Sequence, residues 1–132
     1  MKAITIKQPW ASLICNGFKD IENRTWKTDY RGSVLIHVSG SPANINLSSD
    51  LISHIRNNKS IKDIFVNSDR FIKSAIIGSV DIVDCVRNHD SVWAEKEVWN
   101  WVLENPVLFT NPILNIKGKL SFWDYEYERK ES

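Results

Sequence analysis

Alternation of apolar and polar side chains at the start of the chain predicts a strand that leads at once into a short helix. Residues 4–7 alternate with the period of a half-buried strand. Pro9 suits the first turn of a helix, the apolar residues that follow fall at helical spacing, and Gly17 suits a left-handed cap. We therefore expect a helix from Gln8 to Gly17, joined directly to the first strand.

The same period of two recurs twice before residue 40 and predicts two more strands. Across residues 20–26 it places Glu22, Arg24 and Trp26 on one face. Residues 34–38 alternate in the same way after a turn, so a third strand is expected there.

The middle of the chain predicts helices followed by a long strand. Apolar residues across 47–55 fall on one helical stripe. Residues 59–74 are ambiguous, and we expect a short helix at 69–74. Residues 75–86 are dense in Ile and Val, which indicates a central strand, and Gly78 inside it indicates a bulge or a close backbone approach.

Two prolines punctuate the last third of the chain. A strand is expected at 101–103, and Asn105-Pro106 should stop it. Two further strands are expected at 113–116 and 120–126, on either side of a turn at 117–119. Strands then outnumber helices, which favours an α+β fold with a closed or nearly closed barrel of antiparallel or mixed strands and a few flanking helices.

The composition is that of one globular domain whose net charge is too small to create a strong electrostatic field. The 132 residues are 42% hydrophobic and 25% charged, which are ordinary values. We expect a single domain over 1–132, with a charged, frayed tail at 126–132. The formal net charge of +1 disfavours duplex DNA as a partner and leaves a local pocket for a nucleotide, a nucleoside or a short single strand of RNA.

Neither a membrane segment nor a cofactor is expected. The N-terminus is too polar for a signal peptide and no apolar stretch is long enough to span a membrane, so we expect a cytoplasmic protein with no membrane partner. Cys15 and Cys85 imply no disulfide framework and have apolar neighbours, where thiols are usually inert. His37, His54 and His89 are too scattered to form a metal site.

Four segments, in order along the chain, resemble the ASCH family, and together they cover most of it except residues 40–74. They are Ile6–Ala11 with Gly17–Arg24, Tyr30–Ser39, Ile76–Cys85 and Trp101–Trp123. The first of them carries the G-x-K-x-x-E-x-R spacing of that family. Asn100 and Ser121 depart from the pattern, because relatives often have glycine there. The resemblance implies a PUA-like β-barrel, a fold used repeatedly to bind RNA and modified nucleobases.

Three charged residues of the family spacing are the first candidates for a site. Arg24 can fork onto a phosphate, and Lys19 can neutralise it. Glu22 can accept hydrogen bonds from the amino edge of a base. The alternative is a structural ion pair between Glu22 and Arg24, with Lys19 as a solvated turn residue.

Aromatic residues supply candidates for base stacking. Trp26 and Trp93 are the better candidates, because Trp26 shares a face with the charged pair and Trp93 lies in a loop-like segment. Trp10, Trp101 and Trp123 lie in regular elements and are expected in the core.

Further contacts are expected from polar residues near the first strand. Lys7 and Gln8 leave the first strand at the N-terminus of the helix, where backbone amides favour an anion, although simple helix capping is the alternative. Arg31 is a second candidate for a phosphate contact, or else a surface arginine. His37 is expected to be a packed core histidine.

Three functions remain open at this point. The first is a module that binds a single-stranded base or a modified nucleoside. The second is a small metal-independent hydrolase acting on RNA or a modified nucleoside, with Lys19 and Glu22 as catalytic groups. Some short relatives hydrolyse acetylated cytidine with a K-x-x-T-x-R pattern, but here Glu22 takes the threonine position and Thr25 should face the opposite way. The third is a protein-interaction domain.

Overall fold

The computed structural model describes residues 1–127, apart from the side chain of Asp69, and the described part contains six strands, three α-helices and one 3-10 helix. The elements are β1 (Lys2–Ile6), α1 (Trp10–Cys15), β2 (Ile21–Arg24), β3 (Gly32–Val38), α2 (Ser49–Arg56), α3 (Lys59–Asn67), the 3-10 helix (Ser68–Arg70), β4 (Ile76–Val86), β5 (Trp99–Ile113) and β6 (Trp123–Asp124). Most of the predicted tail at 126–132 lies outside the described residues. In the described part, no helix has the length and apolar character that a membrane crossing requires.

All six strands form one curled sheet in the order β2-β5-β4-β3-β1-β6. Neighbouring strands are antiparallel except for β1 and β3, which run parallel with Ile4 opposite Ile36. The curl makes a half-barrel with helices beside it, so the expectation of an α+β, PUA-like barrel is confirmed.

Helix α1 fills the inside of the curl. Its residues Leu13 and Ile14 are fully buried, and Gly17 ends the turn after the helix at a φ of +82°, as predicted. Gly78 of β4 permits this packing, because a Cβ there would lie 2.1 Å from the carbonyl oxygen of Val107 and 2.8 Å from Cys15 Sγ. Both the close approach and a register shift beside Gly78 are therefore present.

Helices α2 and α3 pack over the far side of α1. Asn58 caps α3 by accepting a 3.1 Å hydrogen bond from the Ile61 amide, and Ile61 is buried against Leu13 and Trp93. The short helix expected at 69–74 is therefore wrong in position, because the α-helix precedes it.

Strand β5 does not stop at Asn105-Pro106, as the sequence suggested, but continues to Ile113. Its partner β2 pairs only with residues 99–102. Beyond them, one side of β5 is a sheet edge within the described part of the chain, and an edge tolerates a proline that has no N–H to donate.

Of the two strands expected near the C-terminus, the one at 113–116 is wrong, and the one at 120–126 forms only in its middle, as β6. Ile113 ends β5, and β6 has only two residues, so 114–122 form a loop. That loop lies against β1 and β3, since a Cβ on Gly118 would lie 2.5 Å from Thr5 Oγ1 and 2.7 Å from His37 Nδ1.

Candidate functional site

Lys19 sits where the chain leaves α1 and returns to the sheet. Its backbone amide donates a 3.1 Å hydrogen bond to the carbonyl oxygen of Leu13, which fixes the turn after the helix. The side chain is only 5% exposed, donates to the carbonyl oxygen of Ile21, and has its Nζ 3.8 Å from Glu22 Oε1. The alternative that Lys19 is a solvated turn residue is therefore wrong.

Glu22 connects this lysine to Arg24. Its Oε2 accepts hydrogen bonds from Arg24 Nε at 3.0 Å and from Arg24 Nη2 at 2.8 Å. Nη2 also donates to the carbonyl oxygen of Thr5 at 2.9 Å. The ion pair between Glu22 and Arg24 thus forms, and it continues into a row of three charges that includes Lys19.

Burial lowers the pKa of Lys19 below its ordinary value of 10.5. The carboxylates of Glu22, Glu95 and Asp20 oppose this change, while the positive charge of Arg24 lowers the pKa further. Lys19 therefore loses its proton more readily than a solvent-exposed lysine.

A small cavity of about 230 Å³ opens beside Lys19 and Glu22. Trp10 of α1 borders it, with Lys19 Nζ 5.6 Å from the centre of that ring. Trp93 meets Trp10 edge to face, with ring centroids 6.2 Å apart. The remaining walls come from Asn23, Asn44, Leu51 and Glu95.

Two asparagines that the sequence reasoning did not select hold this wall in place. Asn23 Nδ2 donates to the Trp93 carbonyl oxygen at 3.0 Å, and Asn23 Oδ1 accepts from the Glu95 amide at 3.0 Å. Asn100 is fully buried, and its Nδ2 donates to Asn23 Oδ1 at 2.9 Å and to the Glu95 carbonyl oxygen at 3.0 Å. Its Oδ1 accepts from the amide of His89. The departure of Asn100 from the family glycine was the one sequence signal of this role.

A larger cavity of about 760 Å³ lies at the other end of the charge row, where Arg24 rather than Glu22 lines it. Lys7, Lys117 and Lys119 line it as well. The two members of the ion pair therefore belong to different cavities.

His37 also lines the larger cavity, although it is only 2% exposed. Its Nε2 lies 2.6 Å from the carbonyl oxygen of Ile116, and its Nδ1 lies 3.0 Å from Thr5 Oγ1. Since a carbonyl oxygen only accepts, Nε2 carries the proton in the neutral ring and Nδ1 accepts from the hydroxyl. The expectation of a packed core histidine is confirmed.

Three of the predicted ligand contacts line none of these cavities. Gln8 is buried and uses both polar atoms on Ser12, with Nε2 donating to Oγ at 2.7 Å and Oε1 accepting from the amide at 3.0 Å. This is the capping alternative. Arg31 donates to the carbonyl oxygens of Thr28 and Tyr30, each at 3.0 Å.

Trp26 is the third of them. Strand β2 ends at Arg24, so the shared face expected for Trp26 is wrong. Its ring packs edge to face on Trp101 at 4.7 Å and on Phe122 at 5.6 Å. Trp10, which was expected in the core, is partly exposed at the small cavity instead.

Cys15 is not a candidate nucleophile. Burial raises its thiol pKa to about 12, so the thiolate is scarce at neutral pH. This supports the expectation of an inert thiol.

A known protein family matches this chain over the part that runs from β1 to the end of β5. The family model of the ASCH domain matches residues 4–113. Activating signal cointegrator 1 of Mus musculus is 32% identical over 83 residues, and its Homo sapiens counterpart is 31% identical over 83 residues. Each alignment covers 63% of this chain and 14% of the relative, so the match spans about one seventh of the curated relatives' length.

Proposed function

The chain belongs to the ASCH domain family, which generally binds RNA, and we propose that it binds one nucleobase in the small cavity. The base belongs to single-stranded RNA or to a free modified nucleoside, and the predicted compartment is the cytoplasm. The observation that carries the proposal is the pair of Lys19 and Glu22, which is buried and yet borders an open cavity with two tryptophans.

The stability of the fold does not explain why Lys19 and Glu22 are buried as an ion pair. Apolar residues of similar volume often stabilise a fold as well as a buried ion pair does, because both charges lose their water. Lys19 and Glu22 are 5% and 8% exposed, but both border the small cavity. A titratable group with a shifted pKa, beside a charge partner in a cleft, is typical of functional sites.

The size and the lining of the small cavity favour a single nucleobase as its ligand. The volume of about 230 Å³ is below the roughly 300–1,000 Å³ of pockets that hold drug-sized ligands. Trp10, which is partly exposed, offers aromatic surface at this cavity, while Trp93 also borders it but is only 4% exposed and packs edge to face on Trp10. Stacking of a base on such a side chain contributes about 1–3 kcal/mol.

The polar groups favour a base that presents an amino group beside a ring acceptor. Glu22 and Glu95 are acceptors for the amino group. Lys19 has three N–H donors, and one of them is occupied by the Ile21 carbonyl oxygen. Cytosine and its derivatives present this combination, with an N4 amino donor next to an N3 acceptor.

Hydrolysis is the second candidate function, and the lowered pKa of Lys19 favours it. A lysine that loses its proton readily can act as a general base towards water, while Glu22 orients it. Thr25 is exposed just beyond β2 and does not line the small cavity, so it is no substitute for the threonine of the acetylcytidine hydrolases.

One titration tests both functions. Tryptophan fluorescence is followed while nucleosides and short single-stranded RNAs are added. The mass of the ligand in the same mixtures is then measured by mass spectrometry. The test variant is Lys19→Met, and the matched control is Lys62→Met, which changes an exposed lysine of α3 away from both cavities. Saturable quenching that the control keeps and Lys19→Met loses supports the base site. An intact ligand then means binding, and a changed mass means hydrolysis. No quenching by any ligand contradicts the proposal.

A further inference from the structure

Four cations from three distant parts of the chain converge on the larger cavity. Lys7 follows β1, Arg24 ends β2, and Lys117 and Lys119 lie in the loop after β5. Among the residues that line the cavity there is no Asp or Glu. Four positive charges around one concave surface repel one another and attract an anion.

The cations have few partners to neutralise them. Within residues 1–127, Lys7, Lys117 and Lys119 make no ion pair. Arg24 binds Glu22 through Nε and Nη2, but its Nη1 makes no hydrogen bond to any described residue. The cavity therefore holds donors that are still available to a ligand.

The loop that carries two of these lysines is held in place rather than free. The amide of Ile116 donates to the Ser74 carbonyl oxygen at 2.8 Å, and the Ile116 carbonyl oxygen lies 2.6 Å from His37 Nε2. Gly118 packs so closely on Thr5 and His37 that no side chain fits there. Lys117 and Lys119 are thus presented from a fixed backbone, which reduces the entropic cost of ordering them around a ligand.

We propose that the larger cavity binds phosphate groups of the RNA chain whose base enters the small cavity. This inference rests on the proposed function. Arginine and lysine side chains bind phosphates, and the hydroxyl group of Ser39 lies in the same lining. The volume of about 760 Å³ exceeds that of the small cavity several-fold, which suits a sugar-phosphate segment rather than one more base.

Arg24 connects base binding in the small cavity with phosphate binding in the larger cavity. Its guanidinium holds Glu22 at the base site through Nε and Nη2, and Arg24 also lines the phosphate site. A phosphate that draws Arg24 towards itself weakens its bond to Glu22 and so changes the base site. By linkage, a base in the small cavity must change phosphate affinity by the same factor.

The test compares Lys117→Ala/Lys119→Ala with the control Arg56→Ala/Lys62→Ala, which removes two exposed cations of α2 and α3 that line neither cavity. Affinity for a short single-stranded RNA and for the matching nucleoside is measured across a series of salt concentrations. We expect the test variant to lower the slope of log affinity against log salt by about one for each phosphate that it no longer binds, uniformly across RNA sequences. Its affinity for the nucleoside should equal that of the wild type.

The two proposals fail in different ways. A test variant that keeps the wild-type salt slope while the nucleoside still binds overturns the phosphate site and leaves the base site standing. If RNA binds with the expected slopes but the nucleoside does not bind, the base site fails and the phosphate site stands. If neither ligand binds, both proposals fail. Equal melting temperatures of the variants and the wild type confirm that the loop substitutions leave the fold intact.

Discussion

The guanidinium of Arg24 donates a 2.9 Å hydrogen bond to the carbonyl oxygen of Thr5, although three strands separate β2 from β1 in the sheet. Strand β6 pairs with β1 only at Lys2 and Ala3, so it does not reach Thr5. A side chain therefore joins the two sides of the curl where backbone pairing does not. Because the same guanidinium holds Glu22, the fold and the candidate site share this residue.

Replacing Arg24 with lysine should destabilise the protein. An ammonium group cannot reproduce the planar fork that serves both Glu22 and Thr5. Hydrogen bonds to charged groups contribute about 1.5–3 kcal/mol each, so we expect Arg24→Lys to lower the free energy of unfolding by about 1–3 kcal/mol. Urea unfolding measures this, with Arg56→Lys on the exposed face of α2 as control. Equal stability of the two variants would show that the contact does not hold the curl.

Lys19 should make stability depend on pH. Its pKa is lowered in the folded state, so between that value and 10.5 the unfolded chain binds more protons than the native protein. Stability contributed by this group is therefore smallest below the folded-state pKa and rises as the pH climbs from that pKa to 10.5. The difference in unfolding free energy between wild type and Lys19→Met should move in favour of the wild type across that range. Parallel pH curves for the two proteins would refute a lowered pKa.

Much of the fold follows from local pattern. The spacing of apolar residues and a nearby Gly or Pro define β1, α1 and β3, and the density of Ile and Val defines β4. Helix α3 carried a usable signal that was overlooked, namely Asn58 as a cap before Ile61, Ile64 and Phe65 at helical spacing. The course of β5 was not predictable in this way. Whether Pro106 can stay in a strand depends on where β2 stops, and that is a property of the assembled sheet.

The candidate site likewise has a part that could be predicted from the sequence and a part that could not. Lys19 and Glu22 were found because the family spacing brings them together within four residues. Asn23 and Trp93 are 70 positions apart, and Asn23 and Asn100 are 77 apart, so no local pattern joins them. Long-range polar contacts of this kind have no period in a sequence.

Asn100→Ala should loosen the wall of the small cavity. The substitution leaves the His89 amide and the Glu95 carbonyl oxygen without their partner, which costs about 1–3 kcal/mol when such groups are buried. We expect faster hydrogen exchange of the His89 amide, which loses its acceptor, and weaker nucleoside binding. Exchange that speeds up equally throughout the protein would point to global destabilisation instead.

Gly118→Ala should distinguish the contributions of the two cavities to binding. An added Cβ meets Thr5 Oγ1 and His37, so the loop with Lys117 and Lys119 must move away. RNA affinity should fall, while nucleoside affinity, which depends on the small cavity, should stay as in the wild type. Ser60→Ala is a suitable control, because this exposed residue of α3 lines neither cavity. Loss of nucleoside binding in Gly118→Ala would contradict this separation.

The most direct test of the base site uses the indole N–H signals of the six tryptophans in an NMR titration with cytidine and with a cytidine-containing single-stranded RNA. Single Trp→Phe variants assign the signals. The account predicts that Trp10 and Trp93 shift and saturate with the ligand, while Trp99 and Trp123, which line neither cavity, stay in place. Saturating shifts at Trp99 or Trp123, with Trp10 and Trp93 unmoved, would contradict it.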